Sequence, residues 1–221
     1  MWNRQQVKEQ AKQIMKRNYW KMFVVTLIAS ILTGEKTTII ERVQDFTSNN
    51  LSYDSQPIFY SFISIASILG ILYTIFIGNV IVVGKNGYFT KNHDKNPELG
   101  EIFSGFKGNY LNVVKIMFLM DLKTLLWLLL LIVPGVIKAY EYSMIPYLLA
   151  ENPDLSADEA FSLSKQMTTG QKMDLFVLDL SFLGWIILGL ICCGIGILFV
   201  LPYPEATRAE VYLNLKESVK I

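Results

Sequence analysis

The sequence predicts an all-α, polytopic transmembrane helical bundle of about six spans, with interfacial amphipathic helices. Three observations predict it. Of its 221 residues, 52% are hydrophobic, mean hydropathy is +0.36, and 18% are charged, below the roughly 25% usual in soluble domains. Apolar runs of helical length recur along the chain, separated by polar links. Basic residues gather in alternate links, which sets a consistent orientation. A chain of this length reads as a single integral membrane domain, 1–221, and a net charge of +1 gives no global field for nucleic acid.

Residues 1–18 form a basic amphipathic helix. Arg4, Lys8, Lys12, Lys16, Arg17 and, just beyond, Lys21 face a single acid, Glu9, while Val7, Ala11, Ile14, Met15 and Asn18 share one side. The six cations are candidate contacts for anionic lipid head groups, each worth about 1 kcal/mol near such a surface. The alternative is a topogenic anchor and nothing more. Either reading puts the N-terminus in the cytoplasm.

The first span runs from the Tyr19-Trp20 anchor through Leu32, and the acidic, Ser- and Asn-rich stretch Glu35 to Pro57 reads as external. Ile58 to Val83 is the second span. Its Ser61, Ser64, Ser67, Gly70, Thr74 and Gly78 make a small-residue stripe, best read as close helix packing. Gly84 to Asn109 returns to the basic side, and Leu99, Ile102, Phe103 and Phe106 suit a second interfacial helix. His93 stands there beside Asp94, without the partners a metal site needs.

Leu111 to Val133 is the third span, turning at Pro134-Gly135; Val136 to Leu149 is the fourth. Residues 156–169 follow as a cytoplasmic interfacial helix. Ser156 and Glu159 fit a capping box, Gly170 a C-terminal cap, and Ala160, Phe161, Leu163, Ser164 and Met167 form its small and apolar stripe. The fifth span covers about Lys172 to Ile191, Cys192-Cys193-Gly194 turns, and the sixth, bent at Pro202 and Pro204, ends near Leu215 on the cytoplasmic side.

The order of Pro-Gly turn, apolar helix, polar link, capped amphipathic helix and long apolar helix in Val133 to Phe176 resembles the DUF975 family of bacterial integral membrane proteins. Asn3 to Phe23 and Pro202 to Leu215 look like that family's two ends. More distantly, the central stretch is similar to YciC-like proteins and to the membrane domain of some glycerophosphodiester phosphodiesterases. The resemblance implies a multi-pass protein of the bacterial cytoplasmic membrane; it implies no activity.

Charges inside the predicted spans are expensive and should face protein or water. Counting inward from the turns, Asp121 lies thirteen residues from Pro134, Asp179 thirteen from Cys192, and Arg208 fourteen from Gly194. All three come to about 20 Å of depth at 1.5 Å per residue. Arg208 is therefore expected to meet Asp121 or Asp179, with Lys123 and Glu141 one or two turns nearer the outside. These five form a candidate polar cluster, either a structural brace or a path for a proton or polar solute. Tyr140, Tyr142, Tyr147 and Tyr203 stand nearby, open to pocket lining or to packing.

Serine-nucleophile, phosphate-loop and zinc-protease motifs are absent from the sequence, so no catalysis and no cofactor are expected. The leading expectation is a non-catalytic component binding membrane lipids or a membrane protein partner. A small transporter or lipid translocator built on the polar cluster is the alternative. A lipid head-group enzyme, with Asp121 and Asp179 as acid and base, ranks third.

Overall fold

The computed structural model describes residues 2–33, 56–191 and 195–219. The predicted external loop lies mostly, and the Cys192-Cys193-Gly194 turn wholly, outside the described residues. Within them every regular element is helical.

Helix α1 (Arg4–Thr33) is two helical stretches joined across a kink at Asn18, whose dihedrals are non-helical (φ −134°, ψ 24°). The Asn18 amide donates to Asn92 Oδ1 at 2.7 Å, so the kink is held from outside α1. Val7 and Ala11 are fully buried, with Ile14 and Met15 packed against the same core, and this face lies along the C-terminal helix, Pro202–Val219. The apolar stripe read from the sequence is thus covered by protein, and only the opposite, basic side of residues 4–17 remains for a membrane surface.

Helix α2 (Gln56–Tyr73), a π-helical turn (Thr74–Gly78) and α3 (Asn79–Lys91) follow end to end. Ser64–Lys91 has a mean hydropathy of 2.2 and, among the described residues, is the one helix long and apolar enough to cross a membrane. Of the stripe expected to pack, Ser61 and Ser64 are exposed and Gly78 is buried. The described neighbours gather on α3, beyond the stripe. A 3-10 helix, Leu99–Phe106, lies against α3; it buries Ile102 and leaves Leu99, Phe103 and Phe106 exposed, as its predicted apolar face suggests.

The next two predicted spans are reshaped. Helix α4 (Tyr110–Leu130) ends at Leu131, whose extended backbone (φ −155°, ψ 133°) makes the turn. Pro134-Gly135 is not the turn but part of the first turn of α5 (Ile132–Tyr142). Proline is tolerated there because its missing N–H would have no helical partner. Gly135 lets α5 fold back tightly: a Cβ on it would stand 2.6 Å from Leu128 Cα. The predicted fourth span then breaks at Ser143-Met144, and α6 (Ile145–Glu151) restarts with Pro146 in its first turn.

Helix α7 (Ala157–Thr168) begins with the predicted capping box, both hydrogen bonds present, and Gly170 follows it with φ +76°. Its stripe buries Ala160, Ser164 and Met167 against protein, with the Ser164 hydroxyl donating to the Glu141 carbonyl at 2.6 Å. The buried part of the stripe therefore packs on protein. The predicted fifth span is two helices, α8 (Lys172–Leu180) and α9 (Leu183–Ile191), interrupted at Ser181-Phe182. The sixth is α10 (Ile195–Val200) and α11 (Pro202–Val219), parted at Leu201 where Pro202 and Pro204 follow.

One core joins α1, α3 and α11, including Tyr88 and the stacked Tyr147–Tyr212 pair; a second joins α3, α4 and α7. Outside these cores large apolar side chains stay exposed in runs: Ile65, Ile68 and Leu69 on α2, Leu125 through Val133 across the α4–α5 hairpin, and Trp185, Ile187 and Leu188 on α9.

Candidate functional site

A cavity of about 450 Å³ is walled by α3, α4, the α5–α6 break at Ser143-Met144, α8 and α11. Asp121, Asp179 and Arg208, predicted to share one depth, all line it. Arg208 meets Asp179 through two hydrogen bonds, Nη2 to Oδ2 at 2.7 Å and Nε to Oδ1 at 3.2 Å. Tyr140 also donates its hydroxyl to Asp179 Oδ2, at 2.9 Å. Asp121 takes a neutral partner instead, accepting from Asn79 Nδ2 at 2.6 Å.

Lys123 and Glu141 do not line the cavity. Lys123 lies two residues, about 200° of helical rotation, from Asp121, and its ammonium sits 3.7 Å from the Phe161 ring centroid on α7. Glu141 is buried on another face, between Lys138 at 2.7 Å and Lys172 at 2.5 Å. Depth alone placed these residues together; direction around the helix separates them. The cavity contains a second ion pair that depth counting missed, Lys85 with Glu205 at 2.5 Å. Glu205 adjoins the proline bend, and Lys85 lies on α3, within the stretch Gly84 to Asn109 that the sequence assigns to the basic side.

A separate groove of about 440 Å³ opens between α1 and α9–α11, with Met15, Tyr19, Trp185, Phe199, Val200 and Tyr203 as its apolar walls and Lys12 and Lys16 at its edge. Tyr19 donates to the Phe199 carbonyl at 3.0 Å, and Phe23 stacks on Phe199 at 5.0 Å, fixing the aromatic wall. Lys12 pairs with Glu9 at 2.7 Å, which raises the lysine's pKa and lowers the carboxylate's. Lys8 donates to the Ser181 hydroxyl at 2.6 Å and lies over Phe182; burial and then the charges of Lys12 and Arg4 lower its pKa.

The remaining predicted lipid contacts divide. Arg4 is exposed. Arg17 donates to the carbonyls of Asn92 and His93 at 2.5 and 3.1 Å, and Lys21 to Asn96 Oδ1 at 3.0 Å, so both serve to tie α1 to the end of α3. His93 in turn places Nδ1 2.9 Å from both carboxylate oxygens of Glu210 on α11.

Residues 127–219 match the family model described as a protein of unknown function, DUF975. Over this region, which is less than half of the chain, the sequence is similar to the DUF975 family. The DUF975 region supplies Tyr140, Asp179, Glu205 and Arg208 to the cavity, whereas Lys85 and Asp121 come from before it. It likewise supplies the α9–α11 side of the groove, and α1 brings the lysines. No curated protein and no solved structure matches the chain. The more distant likenesses to YciC-like proteins and to the phosphodiesterase membrane domain rest on the residue pattern alone.

Proposed function

We propose that this chain is a multi-pass protein of the bacterial cytoplasmic membrane, with both termini cytoplasmic, that works without catalysis by binding anionic lipid. The observation that carries this reading is the α1 to α9–α11 groove, which joins an aromatic and apolar wall to two lysines. An acyl chain suits the wall, and a phosphate suits Lys12 and Lys16, since Glu9 offsets only one of the two charges. Tyr19, Trp20 and Trp185 are residues of the kind that sit at head-group depth. The exposed apolar runs on α2, α4–α5 and α9 support a bundle of about six crossings, because surfaces of that extent are stable against lipid tails and not against water.

The test is native mass spectrometry of the full chain, released gently from membranes containing phosphatidylglycerol and cardiolipin. Enrichment of anionic lipid over bulk, reduced by about thirtyfold in the Lys12→Gln/Lys16→Gln double variant, is expected if these charges provide about 1 kcal/mol each. Equal enrichment in the double variant refutes the groove as the site.

A second reading, a small transporter or lipid translocator, is favoured by the charged cavity. It predicts flux into liposomes that depends on Asp121 or Arg208.

A further inference from the structure

The cavity is rich in charge, and both of its cations are already paired with carboxylates. Lys85 is held by Glu205 and Arg208 by Asp179. The Tyr140 hydroxyl goes to Asp179, that of Thr124 to the Met120 carbonyl at 2.8 Å, and that of Ser143 to the Tyr140 carbonyl at 2.7 Å. An entering anion would compete with a carboxylate for either cation.

The surplus lies on the acceptor side. Two cations, Lys85 and Arg208, and three carboxylates, Asp121, Asp179 and Glu205, line the cavity, a formal balance of −1. Among the described residues Asp121 pairs with no cation, and Asn79 is its hydrogen-bond partner. A carboxylate beside apolar walls is strongly stabilised by a cation. The walls also suit one that is poorly hydrated: Tyr140, Tyr142 and Tyr147 line the cavity with Met120, Leu125 and Leu178. Aromatic faces attract ammonium groups, and apolar side chains accommodate their alkyl substituents. Leu125 and Leu128 line the cavity while remaining exposed on the apolar side of α4.

We infer that this cavity is a binding site for an organic ammonium group, with Asp121 as its counter-ion and the tyrosines as its walls. The site shares no lining residue with the lipid groove, and the inference stands apart from the function proposed for that groove. The same chemistry occurs in a free solute such as choline and in the amine of an aminophospholipid head group. The lining includes exposed leucines as well as charged groups, which suits either source, and measurement separates them.

The experiment uses the purified full chain in phosphatidylglycerol nanodiscs. Choline binding is measured by calorimetry beside 3,3-dimethylbutan-1-ol, its neutral isostere. Phosphatidylethanolamine retention from mixed bilayers is measured by native mass spectrometry. A free-solute site binds choline at least about tenfold more tightly than the neutral isostere, whereas a head-group site retains phosphatidylethanolamine. In either case Asp121→Asn abolishes the preference, Asp121→Glu keeps it, and Lys12→Gln/Lys16→Gln leaves it unchanged. Failure of both ligands to bind overturns the inference, as does equal binding of choline and its isostere without aminolipid retention, or a preference that survives in Asp121→Asn. The isostere comparison on the unaltered protein does not depend on how well any variant folds. Loss of the groove's anionic lipid with the ammonium preference intact would refute the groove reading alone.

Discussion

Arg208 on α11 grips Asp179 on α8 with both a terminal and the internal guanidinium nitrogen, and the pair closes one wall of the cavity. Two parallel bonds fix direction as well as distance, which a lysine at the same position could not do. The side chains remain 49% and 27% accessible, so the pair is not a fully desolvated one. Removing one partner should cost less than the 3–5 kcal/mol typical of a buried pair. Arg208→Gln is expected to destabilise by about 2 kcal/mol, or about 4–8 °C in Tm for a chain of this size. Introducing Asp179→Asn into that variant should cost little more. Additive losses in the double-mutant cycle would show that the two residues stabilise the fold separately.

That pair was legible in the sequence because two charges at equal helical depth have a reason to meet, and counting residues supplies depth. Counting does not supply direction around the helix, so Lys123 and Glu141 were grouped with residues they do not face. The capping box at Ser156 and Glu159 was readable for the opposite reason, being a contact between residues three apart. The break at Ser181-Phe182 carries no proline or glycine, and the kink at Asn18 is secured by Asn92, 74 residues away. Neither leaves a local mark. Lys85 and Glu205 are separated by 120 residues and were likewise joined only by the fold.

The approach of α3 to the 3-10 helix sets a steric prediction. A Cβ on Gly84 would lie 1.9 Å from the Ile102 carbonyl oxygen, and one on Gly105 2.4 Å from that of Val80. Both obstacles are backbone, so neither contact can be relieved by turning a side chain. Gly84→Ala should destabilise by about 2–3 kcal/mol despite alanine's better helix propensity. Gly100→Ala, with nothing within 4 Å of the new carbon, should change stability by less than about 0.5 kcal/mol. Thermal unfolding followed by tryptophan fluorescence distinguishes them, and similar behaviour of the two variants would mean that this packing is not tight.

His93 and Glu210 join the end of α3 to α11. The Glu210 side chain is 1% accessible and that of His93 38%, so removing the imidazole strands a carboxylate that water does not readily reach. His93→Ala is expected to cost roughly 1–3 kcal/mol. The same change in a Glu210→Gln background should cost less than half as much, because no charge is then left without its partner. Equal costs in the two backgrounds would assign the loss to packing.

The start of α7 responds to acid with a defined sign. Glu159 Oε2 accepts from the Ser156 backbone N–H at 2.9 Å and from its hydroxyl at 2.7 Å, and these bonds hold the carboxyl below its ordinary pKa. The folded value therefore lies under the unfolded one of about 4.3. Stability from the charged form is present above the unfolded value and is lost as pH falls through the folded one. Ser156→Ala should cost about 1 kcal/mol at neutral pH by removing the cap. Glu159→Gln should lower Tm by a constant amount above about pH 5, and the gap to the unaltered protein should narrow toward pH 3. A gap that stays constant down to pH 3 would show that the ionised carboxylate contributes nothing to the cap.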